Sequence, residues 1–172
     1  MNLVLGFGPF ILFALLSRLS ADLALWIAFA AAFVVTIRDF VEQPKLRLLD
    51  GVSLGLFGVL ALWRGFLDPG LSLAELRTIL DLGFTAAILI SLLLRRPFSL
   101  QYAARGGWSE SAFLRTNYLI SLVWFGGFAA MALADAAVTF AGQPLYAGIA
   151  TSALALAICI VFTLRYPASA KR

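Results

Sequence analysis

The sequence predicts an all-α protein, a polytopic transmembrane bundle of six helices. Three observations carry that reading. Of the 172 residues, 62% are hydrophobic and only 13% charged, whereas a soluble domain is about 45–50% apolar and about 25% charged. The mean hydropathy is +0.97. The apolar residues form long stretches divided by short polar breaks, with no strand-like alternation. A chain this short cannot hide so much apolar surface from water, so its solvent is lipid.

A helix needs roughly 20 residues to cross about 30 Å of hydrocarbon. Six stretches are candidates: Leu3 to Ser17, Leu23 to Val41, Leu46 to Phe66, Leu73 to Leu94, Thr116 to Phe140 and Leu145 to Leu164. The first is short, reaching only about 22 Å, and Pro9 interrupts its backbone ladder. Five spans plus a short first helix are therefore the alternative architecture. That stretch has no basic residue ahead of its apolar run and no small-residue cleavage site, so it reads as part of the protein and not as a signal peptide. Ser20 precedes the second stretch, with Asp22 in its first turn. Pro44 and Pro144 sit where the third and sixth would start, positions that need no amide donor. Ser72-Leu73-Ala74-Glu75, just after the Pro69-Gly70 turn, is a capping-box pattern that opens the fourth. Ser109 with Glu110 would start the fifth helix early and carry it beyond the bilayer. Residues 1–172 read as a single transmembrane domain, with 95–115 as a cytoplasmic interfacial junction.

Lys and Arg are retained on the cytoplasmic side of a membrane. Ten of them, Arg38, Lys45, Arg47, Arg95, Arg96, Arg105, Arg115, Arg165, Lys171 and Arg172, fall on one side of the predicted topology. The other side holds Arg18, Arg64 and Arg77, with Asp22, Asp68, Glu75, Asp81 and Asp135. This places the C-terminus in the cytoplasm. The formal charge of +4 is dispersed through the breaks and so reports on orientation. No nucleic-acid partner is expected, because no recognised module surrounds the basic residues.

Chemistry is narrowed by what the chain lacks. It has no histidine and one cysteine, which removes imidazole catalysis, cysteine zinc sites and disulfides. No catalytic residues, metal or cofactor are expected. Cys159 reads as a small apolar core residue, and the pair Gly6 and Gly8 lacks the rest of a phosphate-loop fingerprint.

Asp50 and Asp81 draw notice because carboxylates near hydrocarbon are costly and face a bundle interior or cavity. Each has an arginine three or four residues earlier, Arg47 and Arg77, so each reads either as an ion pair near the interface or as a ligand or ion relay. Asp135 reads as an interface residue. Asn117 is placed to tie helices by hydrogen bonds, and Trp124 lies too deep for an aromatic belt, lining a groove or packing in the core. At the junction, Arg95, Arg96 and Arg105 interleave with Phe98, Gln101, Tyr102 and Trp108. That pattern suits rings at headgroup depth and guanidinium groups on anionic lipid phosphates, or a protein partner. Gly51, Gly55 and Gly58, and Gly83 with Ala87 and Ser91, form small-residue stripes for close helix packing or for a homodimer.

The opening Gly8-Pro9-Phe10-Ile11-Leu12-Phe13, the junction Arg95-Arg96-Pro97 with Gln101, and the run from Asn117 through Trp124-Phe125 to Gly127, Ala134 and Phe140 give the chain a further pattern. In these features, its length and the spacing of its spans, it resembles the bacterial intracellular septation protein A family of small inner-membrane proteins. The resemblance covers most of the chain. It implies a non-enzymatic inner-membrane protein that scaffolds or modulates envelope or septum assembly through contacts with envelope or division proteins. The residues leave open a small transporter, channel or lipid-handling protein using Asp50 or Asp81. A lipid-modifying enzyme ranks third, because the polar residues are scattered. The two halves, 1–94 and 95–172, show no self-similarity that would mark an inverted repeat.

Overall fold

The computed structural model describes residues 2–42, 44–104 and 106–170. Among the described residues there is no strand, as expected where each unpaired backbone amide would face hydrocarbon. The helices are α1 (Asn2–Gly6), α2 (Gly8–Leu16), α3 (Ala21–Glu42), α4 (Leu48–Leu62), α5 (Leu73–Leu93), α6 (Glu110–Ala141) and α7 (Leu145–Ala170). A π-helical turn, Trp63–Leu67, continues α4, and a 3-10 turn, Phe98–Gln101, lies between α5 and α6. Five helices are long and apolar enough to cross a membrane: α3, α4 with its π turn, α5, α6 and α7. The chain is a multi-pass membrane protein. The first predicted span is instead two short helices, with Pro9 in the first turn of the second, where its missing amide costs nothing. Five spans with a short helical start is thus the arrangement adopted.

The start signals act as their chemistry requires. Ser72 N donates to Glu75 Oε2 at 2.7 Å and Glu75 N to Ser72 Oγ at 3.2 Å, the reciprocal capping box at the start of α5. Ser20 Oγ accepts from Leu23 N, and Ser109 Oγ from Ala112 N. Pro44 falls four residues ahead of α4, because the chain runs on through Arg47, the residue before its first turn.

The chain divides into two compact units, Val4–Leu76 and Arg77–Arg172 with Met1–Leu3. In the first, α2 packs on α3 and α3 on α4. Phe13 meets Phe57 with ring centroids 5.7 Å apart. Of the predicted glycine stripe only Gly58 admits a neighbouring helix: a β-carbon there would lie 2.9 Å from Phe29 Cε2. Gly51 faces the side chain of Leu46, in the segment leading into its own helix, and Gly55 faces open space. Gly83 is half-buried on α5. Two charged ties close the ends of this unit. Arg64 in the π turn donates from Nε to Asp22 Oδ1 at 2.6 Å and from Nη1 to the Leu71 carbonyl. At the other end Asp39, buried on α3, accepts from Arg38 Nη2 at 2.7 Å and from Arg47 Nη1.

In the second unit α6 and α7 form a hairpin through Gly142, whose φ of +65 is the left-handed cap conformation that favours glycine. Gly127 on α6 lets α7 approach, since a β-carbon there would lie 2.5 Å from Cys159 Sγ. Above it Phe84, Phe128 and Trp124 stack, with centroids 5.0 Å and 6.1 Å apart, all fully buried. Because that fit is tight, Gly127→Ala is expected to destabilise the protein by about 1–3 kcal/mol through overpacking. Adding Cys159→Ala should recover most of the loss, measured as thermal unfolding midpoints of the four proteins in detergent.

Candidate functional site

The polar residues of the second unit gather at two levels. The first is ionic and joins three helices. Arg77 is the fifth residue of α5 and Asp81 the ninth, about 6 and 12 Å from the helix start at 1.5 Å per residue. Asp135 lies six residues before the end of α6, and Ser152 seven after the start of α7, about 9 and 10 Å along their helices. Since α5 and α7 begin on the side where α6 ends, all four fall at one depth.

Arg77 Nε donates to Asp135 Oδ2 at 3.0 Å, and Arg77 Nη2 to Ser152 Oγ at 2.7 Å. Ser152 in turn donates to the Gly148 carbonyl one turn back at 3.0 Å. The Asp81 carboxyl has the Asp135 carboxyl within hydrogen-bonding reach and Arg77 as its other charged neighbour. Exposure is 6% at Arg77, 2% at Asp81 and 0% at Asp135. Asp135 Oδ1 is buried and accepts no hydrogen bond among the described residues. It lies directly against Gly148, where a β-carbon would collide with it, so only glycine lets α7 come this close. Thr139 donates to the Asp135 carbonyl at 2.9 Å, and its hydroxyl lies 3.5 Å from that of Thr78.

This placement revises two expectations. Asp135, expected at the interface near the end of its helix, is the most enclosed acid of the cluster, because its helix turns it towards α5 and α7. Arg77 does not serve Asp81 alone along one helix face but reaches across to α6 and α7. Asp135 and Gly148 are residues of the cluster that the sequence reading did not place there. Counting each residue's distance from the shared loops would have brought Arg77, Asp81 and Asp135 together.

The second level lies at the other end of the unit. Ser99 Oγ donates to the Asn117 carbonyl and Oδ1, both at 2.9 Å, and Ser121 Oγ donates to Ser99 Oγ at 3.1 Å. Asn117 Nδ2 donates to the Phe113 carbonyl. Asn117 therefore pins the 3-10 turn to α6; it does not join two long helices. Trp124 Nε1 donates to Thr163 Oγ1 on α7 at 2.9 Å, so its indole packs in the core. A cavity of about 210 Å³ opens here, lined by Ser99, Tyr102, Asn117, Ile120, Thr163 and neighbours. Phe98 is fully buried and anchors the junction inside the protein. Arg95, Arg96 and Gln101 are exposed, Tyr102 and Trp108 half-buried, and Arg105 lies outside the described residues.

Asp50 belongs to neither level. It is 3% exposed in the first turn of α4, in the other unit, and its carbonyl accepts from Thr36 Oγ1 at 3.5 Å. Cys159 is buried against α6, in line with a core role. Among the described residues no group of three or more His, Cys, Asp or Glu is placed to hold a metal ion. The arrangement that can do chemistry is therefore the Arg77, Asp81 and Asp135 cluster, two acceptor-only groups and one donor-only group in an apolar surround. Comparison of the chain with protein-family models, curated proteins and solved structures finds no match.

Removing one partner of a buried ion pair strands the other, at a cost of about 3–5 kcal/mol. Arg77→Met should therefore sharply lower the yield of folded protein and its melting temperature. The double variant Arg77→Met with Asp135→Leu should be less damaged than the single one, read by thermal unfolding in detergent.

Proposed function

We propose that this protein binds and releases a proton at the Asp81 and Asp135 pair, as a small proton-coupled transporter or channel of a membrane. One observation carries the reading: two carboxyls face each other beside a single guanidinium, inside helices that cross hydrocarbon. Two ionised carboxylates only accept hydrogen bonds, so their approach becomes a bond when one of them holds a proton. With that proton the three groups sum to zero charge, and without it to −1, a charge that lipid makes expensive. Loading and unloading the pair thus changes the electrostatic state of three helices at once. Ionisable residues at such positions in membrane bundles mark ion and proton pathways.

The basic-residue count supports a cytoplasmic C-terminus, and the resemblance to the septation protein A family supports a bacterial inner membrane. In that orientation the cluster lies near the far face. A second reading, a scaffold for envelope or division proteins, follows from the resemblance to the septation protein A family. Its favouring observation is the junction, where anchored Phe98 and Ser99 leave Arg95, Arg96 and Gln101 exposed.

The test of the first reading uses purified protein in liposomes with an entrapped pH-sensitive dye and an imposed potassium diffusion potential. Wild type should move protons faster than protein-free vesicles, and Asp81→Asn should abolish the excess while Arg77 keeps its Asp135 partner and the helical fold. Equal rates for wild type and empty vesicles, or an unimpaired Asp81→Asn variant, would sink it. For the second reading, Arg95→Gln with Arg96→Gln should lower co-purification of envelope proteins from gently extracted membranes.

A further inference from the structure

A separate feature lies where the start of α6 meets the end of α7. Two grooves adjoin there and share Tyr166. One, of about 600 Å³, is walled by Ala157, Ile158, Val161, Phe162, Arg165 and Tyr166. The other, of about 470 Å³, is walled by Ser111, Ala112, Arg115, Thr116 and Tyr166. The first is an apolar trough with one cation at its end; the second is polar. None of the lining residues is acidic. Arg115 and Arg165 are both exposed, and neither forms an ion pair among the described residues.

The depth of this feature is set by helix length. Arg165 lies 20 residues beyond Leu145, about 30 Å along α7, which equals the hydrocarbon thickness. Both arginines therefore stand at the headgroup level, while Ala157 lies about 12 Å deeper. Phe162 and Tyr166 stack at 4.7 Å with an interplanar angle of 12°, forming a flat wall between the trough and the polar end.

The geometry points to a binding site for one anionic phospholipid: an acyl chain along Ala157, Ile158, Val161 and Phe162, and its phosphate between Arg115 and Arg165. Ser111 and Thr116 supply hydroxyl donors beside the arginines. Arginine suits this task because its planar fork matches phosphate oxygens, and two exposed cations outside any ion pair among the described residues discriminate against zwitterionic lipids. The site does not depend on the proton-binding reading and shares no residue with the ionic cluster.

The experiment is native mass spectrometry of the delipidated, detergent-solubilised protein titrated with equal amounts of phosphatidylglycerol and phosphatidylcholine of identical chains. Wild type should retain a single phosphatidylglycerol in preference to phosphatidylcholine. Each of Arg115→Gln and Arg165→Gln should cut that preference about fivefold, the worth of one basic residue at an anionic membrane surface. Lysine at both positions should keep much of the preference. Ile158→Trp, which fills the trough and leaves both charges, should weaken retention of both lipids. Equal retention of the two lipids by wild type would overturn the site, as would an undiminished preference in the double glutamine variant. So would displacement of the lipid by glycerol phosphate alone, which would show a bare anion site, or a lipid-free dimer that disappears with Ile158→Trp. Circular dichroism checks that the variants fold, as expected for exposed residues outside any ion pair.

Discussion

A guanidinium carries five N–H donors and no acceptor, and it keeps its proton in protein and in lipid alike. Arg77, four residues into an apolar helix, must find its partners within the protein or drag water into the bilayer. It finds them on two other helices, in the Asp135 carboxylate and the Ser152 hydroxyl. Much of the second unit follows from that demand. The serine has to face inward and is held there by the carbonyl one turn back. Position 148 has to lack a side chain, because α7 could not otherwise reach the carboxylate. A third titratable group, Asp81, is enclosed beside that pair, so the cluster holds two acids and one base.

The first unit meets the same demand differently. Its charges sit at the two ends of its helices, where Arg64 reaches Asp22 and the Leu71 carbonyl, and Arg38 and Arg47 converge on Asp39. Exposed pairs of this kind contribute little to stability, but the buried carboxylate of Asp39 is one that could not remain uncompensated. Charge near the ends of this unit ties its helices together, whereas the other unit encloses Arg77 and Asp135 between its helices.

Much of this was legible in the residues. Span positions followed from apolar run lengths, and the capping box at Ser72 and Glu75 formed as read, because both signals are local. The partners of the buried charges were not legible in the same way. A helical face reveals only neighbours three and four residues apart, so Arg77 was matched to Asp81 while its hydrogen-bonded acid lay 58 residues away. The glycine stripe misled for a related reason: Gly55 and Gly58 are both small, but only one faces another helix. At Gly127 and Gly148 the tight contacts were with a thiol and a carboxylate, which no small-residue pattern would flag. Phe98 was read among the rings flanked by arginines, while it is buried next to a serine anchored to Asn117.

The length of α6 has one more consequence. Its 32 residues extend about 48 Å, against about 30 Å of hydrocarbon. Tilting within the usual range of up to about 40° absorbs only part of the excess. The remainder stands in the headgroup layer and the water beyond it, as a rigid stem capped by Ser109. Because the far end of the helix is tethered by the Asp135 ion pair, the surplus length emerges at the Ser109 end, where the first turn lifts Glu110 clear of the hydrocarbon.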